Sequence, residues 1–203
     1  MIRVNEDSTL DLNGFELKQS GTTSSCLIHI TDGHSLTLID SSEGKTGKII
    51  SEGTTPVLGI GQNGKLYAQG VTIIGNVTNE GQIFGGTFEG TITGNAPHVT
   101  GSGTEADPYQ ISTAEGLKWF RDKVNGGEYD VCAVLTADID LNDEEWTPIG
   151  IGAYINLGKY PYTGTFDGKG HTIKGLNVTT ESCGGLFAWI DGGTILNLTV
   201  QER

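Results

Sequence analysis

A short alternating apolar run, a turn rich in Gly, Asp and Asn, and then another run recur along this chain with no helix between them. Leu10-Asp11-Leu12-Asn13-Gly14-Phe15-Glu16-Leu17 is one copy. Leu27-Ile28-His29-Ile30-Thr31-Asp32-Gly33-His34-Ser35-Leu36-Thr37-Leu38 is a second, and Thr165-Phe166-Asp167-Gly168-Lys169-Gly170-His171-Thr172-Ile173 is a third. Repetition of strand and turn points to a solenoid or a sandwich, and away from folds that interleave strands with helices. Shape is more legible here than chemistry, and no catalytic site is expected.

Composition narrows the partners. The 32 glycines show no collagen period, so they read as turn residues. Acidic residues (25) outnumber basic ones (12), and the net charge of −13 argues against a nucleic-acid partner, which needs a Lys/Arg surface. The same charge suits an exported, self-repelling surface. Cys26, Cys132 and Cys183 have no C-x-x-C spacing, which disfavours structural zinc. Three buried free thiols are expected, with a Cys132–Cys183 pairing left open. No run reaches the length of a membrane span, so no membrane insertion is expected. Met1-Ile2-Arg3-Val4-Asn5 lacks the apolar core of a signal peptide. A strand-like stretch stands almost at the last residue, where a solenoid needs a polar cap. The expectation is a piece of a longer parent chain, with a start Met added.

Residues 9–94 carry only strand and turn signals, with turns that tighten after residue 75. Residues 95–108 are polar and bracketed by prolines, and read as a linker. The expected division is 1–95 and 96–203. One helix is expected near 112–125: Ser112 and Glu115 match a capping box, Leu117, Phe120 and Val124 share a face, and Asn125-Gly126-Gly127 supplies a stop. Its expected use is to cover the open end of a coil. Residues 131–141 read as one long strand, and 151–163 as an irregular aromatic loop.

Residues 103–200 resemble bacterial surface proteins with GLUG repeats. The resemblance rests on Gly103-Thr104-Glu105-Ala106-Asp107-Pro108-Tyr109, Ala137-Asp138-Ile139-Asp140-Leu141, Trp146-Thr147-Pro148-Ile149-Gly150 and Phe166-Asp167-Gly168-Lys169-Gly170-His171. Gly184-Gly185-Leu186-Phe187 with Gly192-Gly193-Thr194-Ile195-Leu196-Asn197-Leu198 is similar to the GLUG phrase itself. The resemblance implies a right-handed parallel β-helix within a large exported protein of the kind called adhesins. Residues 1–94 look like a generic pectate-lyase-type β-helix. No catalytic residue carries over. Leu176, Val178, Leu186, Phe187, Ile195, Leu198 and Val200 suit the apolar columns of such a coil. Asn177 and Asn197 suit an asparagine ladder; with Asn76 they also match N-x-[ST], a reading set aside for a bacterial protein.

Three clusters invite a functional reading. Asp138, Asp140, Asn142 and Asp143, followed by Glu144 and Glu145, offer the oxygen ligands calcium takes, but the EF-hand pattern is missing. The bland alternative is a solvated strand end. Trp146, Tyr154, Tyr160 and Tyr162 suit a sugar-binding face, against the alternative that they pack the loop onto the coil. His171 with Asp167 would interest a reader looking for a polysaccharidase, but such chemistry needs several converging acids, and Asp-Gly favours a turn for backbone reasons alone.

The expected fold is all-β: a right-handed parallel β-helix in two consecutive segments with one short capping helix. The expected function is a non-enzymatic stalk or adhesion module of a bacterial surface or secreted protein, located extracellularly. It would have no cofactor except calcium if the acidic cluster binds it, and a host or dietary glycan or glycoprotein as partner. The alternatives are a carbohydrate-binding module and a fragment of a polysaccharide lyase or hydrolase.

Overall fold

The computed structural model describes residues 1–20, 24–150, 161–179 and 185–202. The chain forms two compact units, Met1–Ser102 and Gly103–Arg203, so the division falls inside the polar linker and a few residues beyond the expected boundary. The described residues are mostly strand, with one helix, and the strands form parallel sheets.

In the first unit, β1 (Ile2–Val4), β4 (Ile28–Ile30), β7 (Leu58–Ile60), β9 (Val77–Asn79) and β11 (Ile92–Gly94) form one sheet in that order. Ile2 pairs with Ile28, Ile28 with Leu58, Leu58 with Val77, and Val77 with Ile92. The first two intervals between partners are 26 and 30 residues and the next two 19 and 15, which matches the tightening of turns late in this part of the sequence. A second set runs β2 (Ser8–Asp11), β5 (Ser35–Ile39), β8 (Lys65–Ile74), β10 (Gln82–Glu89) and β12 (Val99–Thr100). β3 (Glu16–Gln19) pairs with β6 (Lys48–Ser51), and β6 pairs with the far half of β8. β8 serves β5 with residues 65–69 and β6 with 72–74, because Gly70, at φ 65°, turns the strand between them.

Register converts the alternating sequence into apolar columns. Val4, Ile30 and Ile60 stack, as do Leu36, Leu66 and Ile83, and Ile49 with Ile73. All of these are buried. Each fully buried Leu or Ile contributes about 1.5–3 kcal/mol relative to exposure. A slip of one residue would turn a whole column outward, so the pattern pins the register.

The second unit has β13 (Tyr109–Ile111), β14 (Ala133–Leu135), β16 (Thr165–Asp167) and β18 (Thr194–Leu196) in one parallel order, and β15 (Ile139–Asp140), β17 (Thr172–Leu176) and β19 (Thr199–Glu202) in another. Residues 131–141 are thus two short strands in different sheets, not one long strand. The helix, α1 (Ala114–Asn125), buries Leu117, Phe120 and Val124, the three residues placed on one face by their spacing. Phe120 meets Tyr162 at 5.9 Å and Phe166 of β16 at 5.6 Å between ring centroids. The helix therefore packs its apolar face into the core of its unit. The core here is aromatic where the first unit's is aliphatic: Phe187 also touches Tyr162 and Phe166. Of the expected column residues, Leu176 and Leu186 are buried, Val178, Phe187, Ile195 and Leu198 are half-buried, and Val200 is exposed.

The helix starts one residue later than its sequence suggests. Thr113, in an extended conformation, is the N-cap, and its hydroxyl accepts from the Gly116 amide at 3.1 Å. Glu115 then sits in the first turn, where a negative charge favours the helix dipole. Thr113→Ala is expected to cost about 1 kcal/mol of stability in the second unit, measured by urea unfolding followed by tryptophan fluorescence. All three tryptophans (119, 146 and 189) belong to that unit. No helix among the described residues is long and apolar enough to cross a membrane.

Candidate functional site

The acidic stretch at residues 138–145 lies where β15 runs beside β17. Asp138 stands just before β15 and Asp140 closes it, and each faces a partner about one repeat further on. Asp138 Oδ1 accepts from the Thr172 amide at 3.0 Å and lies 3.1 Å from His171 Nδ1. Asp140 Oδ1 accepts from the Asn142 amide at 2.9 Å, and its Oδ2 lies 3.0 Å from Lys174 Nζ. These donors hold both carboxyls below the usual range: the Thr172 amide first for Asp138, the Asn142 amide first for Asp140. Asn142 and Asp143 follow at φ 55° and 58°, a tight left-handed corner that Asn and Asp tolerate better than most residues. The Asp143 carbonyl accepts from Asn177 Nδ2 at 2.9 Å. Glu144 pairs with Lys118 at 2.5 Å, and Glu145 accepts from the Thr179 hydroxyl.

The geometry places these oxygens on several different protein donors instead of converging them on one point. Among the described residues no group of three or more His, Cys, Asp or Glu is gathered closely enough to hold a metal ion. Asp138, Asp140, Asn142 and Asp143 are thus drawn into a latch between neighbouring strands. Excess calcium, and then a chelator, is expected to leave the melting temperature of the purified chain unchanged; a rise with calcium would restore the metal reading.

The catalytic pairing weighed for His171 does not form. Asp138, not Asp167, is the acid beside His171. Asp167 is buried and takes the Lys169 amide at 2.9 Å and Asn197 Nδ2 at 3.0 Å on one oxygen, with Lys169 Nζ 2.8 Å from the other. The Lys169 contacts lead in pulling its carboxyl down to about 2. Asn177 and Asn197 do not bond to one another as a ladder would require; each donates to an acidic turn of the preceding repeat. A ladder-like arrangement occurs in the first unit instead. Asn79 Nδ2 donates to the Asn95 carbonyl at 2.8 Å, and Asn95 Nδ2 to the Gly81 carbonyl at 3.1 Å.

The aromatic set divides. Tyr154 and Tyr160 lie outside the described residues. Trp146 and Tyr162 are buried, which withdraws both from a sugar-stacking surface. Their polar tips are satisfied internally: Trp146 Nε1 donates to the Leu186 carbonyl at 3.2 Å, and the Tyr162 hydroxyl to the Val131 carbonyl at 2.9 Å. Arg121 lies over the Trp146 ring at 4.9 Å, which adds a cation–π contact. Burial pushes the Tyr162 hydroxyl far above its ordinary pKa. These two rings pack within the structure. Cys26 and Cys132 are half-buried free thiols, and burial pushes the Cys26 thiol up; Cys183 lies outside the described residues.

One acid that the sequence did not single out is the most deeply engaged. Asp40, at the end of β5, is 1% exposed. Its Oδ1 accepts from the amides of Gly14 (2.8 Å) and Ser42 (3.0 Å), and its Oδ2 from the Gly47 amide (2.5 Å). Burial alone would raise its pKa, but the Gly47, Ser42 and Gly14 donors outweigh that and hold it at about 2. The available signal was an Asp closing a strand before the Ser- and Gly-rich stretch 41–47.

No family model and no solved structure matches this chain. A stretch of 110 residues is 30% identical to halomucin of Haloquadratum walsbyi (strain DSM 16790 / HBSQ001), covering 50% of this chain and 1% of halomucin. The chain thus spans a very small part of the curated relative that it matches.

Proposed function

We propose that the chain is a non-enzymatic module of a secreted or cell-surface protein of bacterial type, built as two parallel β-helix segments, the second of them GLUG-like. Its work is to provide a rigid stalk or an adhesive surface, with glycans or glycoproteins as the class of partner. The observation that carries this reading is the destination of the acids. Asp40, Asp138, Asp140 and Asp167, the side chains that look most like chemistry, are spent on the amides and side chains of adjacent repeats. Further support comes from parallel pairing combined with alternating burial. All-parallel sheets are ordinarily covered on both faces and read as continuous apolar runs. Here β5 buries Leu36 and Leu38 while Ser35, Thr37 and Ile39 stay half-exposed. One covered face per parallel strand suits a coil wrapped around its own core. The partial likeness to halomucin agrees with a module repeated or embedded in a much longer chain.

The test is an activity screen of the purified chain against soluble polysaccharides, reading new reducing ends and unsaturated uronate products, beside retention of chain-coated beads on glycan-coated surfaces. No product with bead retention is the expected outcome. Product release that is lost in His171→Ala would replace this reading with the lyase or hydrolase fragment. The reading centred on a sugar-binding loop at 146–162 is disfavoured by the burial of Trp146 and Tyr162.

A further inference from the structure

The first unit carries a polar channel that none of the clusters above includes. Its floor is formed where the turns of successive repeats stack: Gly33 before β5, Asn63 before β8, Glu80 and Gly81 before β10, and Asn95 after β11. The concavity holds about 500 Å³ and is open to solvent. An adjoining concavity of about 460 Å³ shares Asn63, Glu80 and Asn95 and extends it past Gln62 and Gly94. One wall is a ladder set by register, because Lys65 of β8 pairs with Gln82 of β10. Glycine keeps the floor low. A Cβ at Gly81 would lie 2.1 Å from the Gly64 carbonyl oxygen, so no side chain can stand there.

The chemistry of the lining is specific. Gln62, Asn63 and Gln82 present carboxamides, each with donors and an acceptor, and Lys65 and Glu80 add one charge of each sign. The side chains of Gln62, Asn63, Lys65, Glu80 and Gln82 make no hydrogen bond to the other described residues, whereas Asn79 and Asn95 nearby are engaged within the turns. We propose that this channel binds a neutral, hydroxyl-rich oligosaccharide lying across the repeats. The proposal takes its setting from the surface-module reading and names the face on which such a module meets its partner.

Three considerations select that ligand class. No apolar side chain lines the channel, which argues against a lipid or an apolar small molecule. An extended peptide would add to an open strand edge, but the strands flanking the channel, β7, β8, β9 and β10, are each paired on both sides. A polyanion meets a chain of net charge −13 and a single lysine. What remains is a neutral polymer of hydroxyls, which can give and take hydrogen bonds with each carboxamide. The strands recur at about 4.8 Å, a spacing comparable to the length of one sugar ring, so successive rings would meet equivalent turns.

The test uses the whole chain on an array of neutral and acidic oligosaccharides, followed by titration of the ¹⁵N-labelled chain with the best neutral binder. The side-chain amide signals of Asn63, Gln82 and Asn95 are expected to shift. In an Asn63→Gly/Gln82→Ala variant the dissociation constant should rise about tenfold or more, as the loss of two hydrogen bonds implies. Glycine is chosen at 63 because φ there is 57°, and unchanged backbone amide signals elsewhere confirm that the variant folds. Binding only to acidic sugars, binding unaffected by the variant, or no neutral sugar bound at all would each overturn the proposal. None of these outcomes bears on whether the module is an enzyme, which the product screen decides separately.

Discussion

Asp40→Ala is expected to destabilise the first unit by about 3 kcal/mol, because it orphans three backbone donors at once, one buried (Gly47) and two half-buried (Gly14 and Ser42). The amides come from Gly14, Ser42 and Gly47, so one carboxylate joins the turn of the first repeat to a loop of the second. The site is closely packed: a Cβ at Gly47 would lie 2.8 Å from Leu12 Cβ and 2.9 Å from the Asp40 carboxyl. Asp40→Asn keeps the volume but turns an amide donor toward backbone donors, and should cost about 2 kcal/mol. The pH dependence has a fixed sign. A carboxyl held at about 2 when folded, against an ordinary 3.8, contributes stability that is complete above about pH 4. That contribution disappears as pH falls from 4 through 2. The wild-type chain should therefore lose urea resistance over that window, and Asp40→Asn should lose less of it. Hydrogen exchange resolved by peptide across residues 35–51 separates this effect from Asp167, which acts in the second unit over the same window. If Asp40→Ala unfolds at the wild-type urea concentration, the carboxylate is not the clamp described here.

The strands were readable because burial in this fold follows a period of two. Leu36 and Leu38, Ile49, and Leu66 and Ala68 are all inward and all alternate. The shortening of the repeats was readable from turn spacing for the same reason. The helix face was readable, but its cap was displaced by one residue, since Ser112 and Thr113 are both good caps and only the backbone conformation chooses between them.

The candidate sites were far less readable. Alternation says which face a side chain occupies, not which side chain of the next repeat meets it. Asp138 finds Thr172 and His171 more than thirty residues away. Tyr162 and Trp146 find carbonyls 31 and 40 residues distant. A row of acids therefore looks like a metal site in the sequence and proves to be a set of latches, and two of the rings that look like a ligand face, Trp146 and Tyr162, prove to be core. The channel in the first unit escaped for the opposite reason. Asn63, Glu80 and Asn95 are ordinary turn residues one at a time, and become a surface only when the register stacks their turns.

That stacking makes its sharpest demand at Gly81. Its φ lies outside the left-handed region, so by backbone preference alone alanine would be harmless. Gly33 is the reverse case, with φ at +77° and open space around its missing Cβ. Position on the stack inverts the expectation. At Gly81 an added Cβ would stand 2.1 Å from the Gly64 carbonyl oxygen and 2.8 Å from that of Gly61. Gly64 O is the acceptor for the Gln82 amide, the first hydrogen bond of the β8–β10 pairing. The clash cannot be relieved by a rotamer, because both partners are backbone. Gly81→Ala must therefore push two repeats apart at the point where their ladder begins, and should cost about 3 kcal/mol or more. Gly33→Ala should cost about 1 kcal/mol, the strain of a left-handed alanine. Thermal unfolding of the two variants side by side, followed by far-ultraviolet circular dichroism, reads the order directly. Equal losses, or a larger loss at Gly33, would mean that backbone torsion and not repeat-to-repeat contact decides where this chain requires glycine.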